Sequence, residues 1–266
     1  MTGLWLLLGG VALIIGFALW HSKRRKDRRT ALRALRLSDE DRETVRRVFA
    51  LWAEIPEEIR MKTEGWMHVF LDEKSFEACG ELEAVTREMK LAVAAQACLL
   101  IAHRPQDYYE RLKSVLLYPG AYRALDGDGD SDVRLGESWG TGSVVLGWKS
   151  ILQGGRNDED GHNVVLHEFA HQLDQEDGAA DGVPELDDGD DYGRWSQAFT
   201  PSYDAFCERV NAGKRSVLDD YGATNPAEFF AVATETFFEK AKAMKRQEPE
   251  VYGMLVEFYG MDPSQW

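Results

Sequence analysis

Apolar and polar positions split the chain into three unlike stretches. Gly3–Trp20 holds 18 residues without a charge, enough to cross a hydrocarbon core as one helix. Trp5 and Trp20 stand near its ends, where aromatic side chains favour the membrane interface. A cleaved leader would want a basic start and a small-residue cleavage site, and neither Met1-Thr2-Gly3 nor Ala18-Leu19-Trp20 supplies one. The pattern therefore predicts a retained transmembrane helix over residues 1–20, a basic juxtamembrane linker over 21–36 and a folded body over 37–266.

Within the body, helical spacing dominates. Ser38-Asp39-Glu40-Asp41 reads as a capping box, and Val45, Val48, Phe49 and Trp52 recur at helical intervals up to Pro56. Met67–Glu77 reads as a short helix or strand-like segment. Leu82–Ala102 reads as a long core helix, since Met89, Val93, Ala97 and Leu100 share one face. Tyr108–Leu117 leads into a Tyr118-Pro119-Gly120 turn. Ser138–Trp148 has β-branched centre residues between glycines and predicts a strand, placed to pair with an extended chain at a sheet edge. Ser150–His162 and Gln175–Asp191 read as connections. Trp195–Val210 returns to helix, and Asn225-Pro226-Ala227-Glu228 caps and opens another through Ala241. A short helix, Pro249–Tyr259, closes the chain. The expected class is α+β, mostly helical, with a small sheet and one N-terminal transmembrane helix.

Charge sharpens the division. Residues 21–36 carry eight Lys/Arg against one Asp, a net +7, whereas 37–266 carry 23 basic and 45 acidic groups, a net −22. So acidic a body repels phosphate backbones, and nucleic acid is not an expected partner. Positive charge after an apolar span stays on the cytoplasmic side, which places the N-terminus outside and the body in the cytosol. Three widely spaced cysteines, Cys79, Cys98 and Cys207, fit a reducing compartment.

The candidate chemistry lies in Asn163–Asp174, NVVLHEFAHQLD. Helical periodicity puts His167 and His171 on one face, so both imidazoles can reach one metal ion. Glu168 projects beside that face, where its carboxylate can take a proton from a metal-activated water. Zinc at a hydrolytic site takes a third protein ligand. Asp177, ten residues after His167, is one option, although Asp174 stands where such a site needs a glycine turn. Glutamates of the later helix are another: Glu228, Glu235 and Glu239 share a face, and Glu228 alone could equally be a cap partner. Glu235 or Asp174 could orient a ligand imidazole. His68, His103 and His162 read as surface or structural. Asp126–Asp132, DGDGDSD, with Glu137, superficially resembles a calcium loop, but Ser131 replaces the required glycine and no helices flank it.

Five ordered motifs carry a resemblance. HEFAHQLDQEDGAADGVPEL, QACLLIAH (Gln96–His103), LLYPGAY (Leu116–Tyr122), ESWGTGSVVLGW and YGATNPAEFFAVATETFF (Tyr221–Phe238) make the chain resemble the Mlc titration factor A family of bacterial zinc-dependent peptidases. The similarity runs from about Phe70 to Phe238. It implies a zincin-like α+β fold, one Zn²⁺ held by His167, His171 and Glu228, Glu168 as catalytic base, and Tyr221 placed to hydrogen-bond the oxyanion. The expected function is a zinc-dependent peptidase at a bacterial inner membrane, with an alternative in regulatory binding of a transcriptional repressor. The choice between aminopeptidase and endopeptidase stays open.

Overall fold

The computed structural model describes residues 2–104, 109–120, 122–125, 131–134, 136–139, 142–186 and 189–266, with backbone alone for 2–12, 14, 122–139 and 190. The possible calcium loop falls largely outside the described residues.

Helix α1 runs unbroken over Thr2–Arg33. Among the described residues no helix is long and apolar enough to cross a membrane, and the predicted span falls partly on positions without described side chains. Leu13, Ile15, Phe17, Leu19 and Trp20 are exposed. Residues 21–33, expected as linker, continue α1 because their cations find partners on α3 (Glu57–Glu73). Arg29, 4% exposed, grips Glu73 through two bonds of 2.6 and 2.7 Å. Arg28 pairs with Asp72, and the Arg33 guanidinium lies 4.2 Å from the centre of the Trp66 ring. Gly65 permits the contact, since a Cβ there would run into the Arg33 carbonyl.

Between them α2 spans Asp39–Val48, capped by the Ser38 hydroxyl on the Asp41 N–H, and a 3₁₀ turn covers Ala50–Ala53. β1 (Ser75–Ala78) follows α3, so the predicted segment 67–77 divides between helix and strand. α4 (Arg87–Leu99) is shorter than its apolar run because Thr86 caps it. β2 (Ser114–Tyr118) occupies the stretch expected only to lead into the Tyr118-Pro119-Gly120 turn. β3 (Tyr122–Leu125) and β4 (Ser131–Arg134) form an antiparallel pair of their own.

The single strand expected at 138–148 is two: β5 (Gly136–Trp139) and β6 (Ser143–Gly147). They join β1 and β2 in a sheet ordered β1-β2-β6-β5, parallel except for β5 at the edge. Val115, Leu117, Val144 and Leu146 bury the parallel strands, as crossover helices demand. α5 (Trp148–Arg156) replaces the expected polar connection. Its Gly154-Gly155 pair has poor helix propensity, but a Cβ on Gly155 would strike the Val48 carbonyl, so helix packing overrides propensity. Then come α6 (Val164–Asp174), α7 (Gly189–Asn211), a 3₁₀ turn Asp220–Ala223, α8 (Pro226–Glu239), α9 (Ala241–Gln247) and α10 (Pro249–Tyr259). α6 packs against α8 on one side and β5 and β6 on another. The site-bearing helix is thereby held between the sheet edge and a second helix.

Candidate metal centre

α6 begins where Asn163 accepts from the N–H groups of Val165 and Leu166, both at 3.1 Å. That cap satisfies two of the helix's unpaired donors. Carboxylates of α8 clamp the same residue: Glu235 accepts from the Asn163 backbone N–H, and Glu239 from its side-chain amide at 3.0 Å. α8 starts in the same manner, with the Asn225 side chain accepting from the Glu228 N–H at 2.9 Å and Pro226 in its first turn. The Glu228 carboxylate turns away from its own helix end and meets the histidines.

Three donor atoms converge. Glu228 Oε2 stands 3.0 Å from His167 Nε2 and 3.3 Å from His171 Nε2, and the two nitrogens are 3.2 Å apart. Among the described residues this is the one group arranged to hold a metal ion. Bonds of 2.0–2.1 Å in tetrahedral geometry put neighbouring donors about 3.3 Å apart, so this triangle fits one face of such a centre. Two imidazole lone pairs and a carboxylate are also the donor chemistry that zinc takes.

The electrostatics favour positive charge among these groups. Burial pushes Glu228 up, but its bonds to both histidines prevail and draw it down to about 2. Burial pushes His167 down, yet Glu228 and Glu235 hold it well above the usual imidazole range.

The other expected residues divide cleanly. Glu168 is 6% exposed, and its charge acts on the His167 imidazole. The Tyr221 ring lies 6.1 Å from the His167 ring and is exposed. Glu235 Oε1 reaches His167 Nδ1 at 2.7 Å, on the far side of the ring from Glu228. Asp177 is exposed and accepts from the Ala179 N–H within its own turn, away from the triangle. Asp174 is fully buried and accepts from the Gly182 N–H at 3.1 Å, tying the following loop back. His162 is solvent-facing near Asp219, and His103 touches Lys62. The double clamp on Asn163 escaped notice in the sequence; its signal was an Asn just before the apolar run.

A family model described as glucose-regulated metallo-peptidase M90 matches residues 20–260. The chain belongs to the M90 metallo-peptidase family. Its match begins where the apolar N-terminal stretch ends. The chain is 37% identical over 267 residues to an uncharacterized protein of Synechocystis sp., covering 97% of this chain and 95% of that one. It is 30% identical over 185 residues to Mlc titration factor A of Salmonella agona, covering 65% of this chain and 68% of that protein. The same identity holds for Mlc titration factor A of Salmonella arizonae, of which 72% is covered. Membership in M90 calls for a metal, and the His167–His171–Glu228 triangle is where the described residues would hold it.

Proposed function

We propose that this chain is a zinc-dependent peptidase in which His167, His171 and Glu228 hold the metal. The reading rests on one observation above the others: three ligand atoms 3.0–3.3 Å apart, facing one another across two helices. When bound, zinc supplies Lewis acidity and makes a water molecule acidic enough to lose its proton near neutral pH. Glu168 takes that proton and delivers it to the leaving amine. Tyr221 donates a hydrogen bond to the oxygen that becomes negative during attack. Glu235, accepting from Nδ1, keeps the Nε2 lone pair of His167 turned toward Glu228 and His171. Edge strand β5, beside α6, offers backbone groups to an extended peptide.

The apolar stretch anchors the protein as a single-pass helix in a bacterial inner membrane, N-terminus outside and body in the cytoplasm. Exposure of Leu13, Ile15, Phe17, Leu19 and Trp20 favours this placement, as does the cationic turn that follows. A reporter fused after residue 36 should score cytoplasmic, and the protein should stay with membranes in high salt.

A second reading has a specific observation behind it: the Salmonella relatives bear the name Mlc titration factor A. In it the chain binds a transcriptional regulator, with metal chemistry secondary. One comparison separates the two. Mass spectrometry of peptides incubated with wild type or Glu168→Gln should find products forming with wild type at a rate on the order of a hundredfold above the variant. Equal product, or none from either, rejects the peptidase reading.

A further inference from the structure

A pocket of about 310 Å³ opens beside the C-terminal end of α6, walled by Arg111, Gly142, Gln172, Gln175 and Glu176. Gln175 is the C-cap of α6, four residues after His171, and its backbone N–H donates to the His171 carbonyl at 3.0 Å. Gly142 opens β6, next to edge strand β5. The pocket therefore lies between the C-terminal end of α6, the helix that carries both histidines, and the start of β6.

Its corner is fixed two residues before Arg111, whose side chain is itself exposed at the pocket. Tyr109 sits at φ 60°, a conformation that bulky residues adopt only when their surroundings enforce it. Here the enforcement is complete. Glu176 accepts from the Tyr109 N–H, and Lys74 donates to the carbonyls of Tyr109 and, at 2.9 Å, of Leu112. The Tyr109 hydroxyl donates to the Ala97 carbonyl at 2.9 Å, with its ring 1% exposed. Gly142 and Gly178, at φ 94° and 101°, let the arginine lie close: a Cβ on Gly142 would run into the Arg111 carbonyl, and one on Gly178 would stand 3.2 Å from Arg111 Nη1. Strain of this kind gathers where a fold positions a functional group.

What is positioned is a cation with spare donors. Among the described residues Arg111 makes no ion pair, only a 3.5 Å contact with the Gln175 carbonyl. Glu176, the other charged group of the wall, spends its carboxylate on the backbone N–H groups of Tyr109 and Glu110. A guanidinium offers two parallel N–H bonds that match a carboxylate. We propose that Arg111 is a specificity residue that receives a carboxylate of the peptide substrate, from an acidic side chain or a free C-terminus, in this pocket. The proposal rests on the peptidase reading above.

The test uses full-length zinc-loaded protein and paired peptides: Glu against Gln at each position flanking the cleaved bond, and free against amidated C-termini. Wild type should prefer the carboxylate member by about tenfold or more in kcat/KM, mainly through KM. Arg111→Gln should bring that ratio to near one while still cleaving the amide peptides, which a merely structural role would not do. Preference confined to Glu-containing peptides assigns the side chain, and preference confined to free ends assigns the C-terminus. The same pairs are then titrated as labelled peptides onto Glu168→Gln, with and without Arg111→Gln. Carboxylate-selective binding that Arg111→Gln removes, with no hydrolysis by wild type, upholds the pocket and sinks the peptidase reading. Hydrolysis without carboxylate preference, or a preference that survives Arg111→Gln, overturns the proposal.

Discussion

Glu235 and His167 stand 2.7 Å apart, carboxylate oxygen to Nδ1, although 68 residues separate them in the chain. A carboxylate only accepts, so Nδ1 donates to Glu235, and with a metal in place the Nε2 lone pair would be the one left to bind it beside Glu228 and His171. The same Glu235 accepts from the backbone N–H of Asn163, where α6 begins. One side chain thus sets both the start of the helix and the aim of its first histidine.

Replacing it should weaken the metal site without removing it. Glu235→Gln is expected to lower zinc affinity by about ten- to a hundredfold while leaving one zinc per chain at saturation, because ligand-orienting carboxylates act at this scale. Chelator competition reads the affinity, and unaltered competition would show that Glu235 has no part in aiming the imidazole.

Loss of a ligand itself should be harsher. Glu228→Ala removes one corner of the 3.0–3.3 Å triangle, so tight zinc binding should disappear, whereas Asp177→Ala should be nearly silent since Asp177 only bends its own turn. A zinc assay that gives the reverse order moves the site to the loop after α6.

The loop after α6 also bears on that corner. Gly182, at φ 80°, lies so close to Pro226 that a Cβ would strike the Pro226 carbonyl, and its own carbonyl accepts from Trp195 Nε1 at 3.1 Å. Gly182→Ala should cost roughly 1–3 kcal/mol in urea unfolding. By shifting the first turn of α8 it should also loosen zinc. Wild-type stability in this variant would mean the loop yields freely and does not brace Glu228.

Glu239 provides a pH-dependent prediction. Burial, followed by the neighbouring charges of Glu235, Asp160 and Asp158, pushes it up to about 8, against a single helpful bond from Asn163; among the described residues its Oε2 has no partner. A carboxyl raised in the folded state binds its proton more tightly there than when unfolded. Its contribution is therefore present at acid pH and is lost as pH rises from the ordinary carboxylate range to about 8. Glu239→Gln keeps an oxygen for Asn163 and cannot ionise, so it should be the more stable protein above pH 8, by on the order of a few kcal/mol. Denaturant midpoints from pH 5 to 9 check this. Parallel curves for the two proteins would remove the buried, raised carboxyl from the account.

Sequence by itself determined what depends on local periodicity. The His167-Glu168-x-x-His171 face follows from 3.6 residues per turn, the Asn225-Pro226 start of α8 from capping chemistry, and Pro249–Tyr259 from a proline at one end and Gly260 in the left-handed region at the other. It left β2, the β5–β6 turn and α5 unread. Short parallel strands carry no alternation to detect, and the Gly154-Gly155 pair looks like a break until its neighbours are seen to need the space. Only the tertiary structure brings particular carboxylates to the histidines. Glu228 and Glu235, seven residues apart on one face of α8, both reach His167, one at Nε2 and the other at Nδ1. Spacing says that two such residues share a face; which oxygen meets which nitrogen depends on how α8 lies across α6. That crossing is set by packing and by the clamp on Asn163, and no local pattern in the chain encodes it.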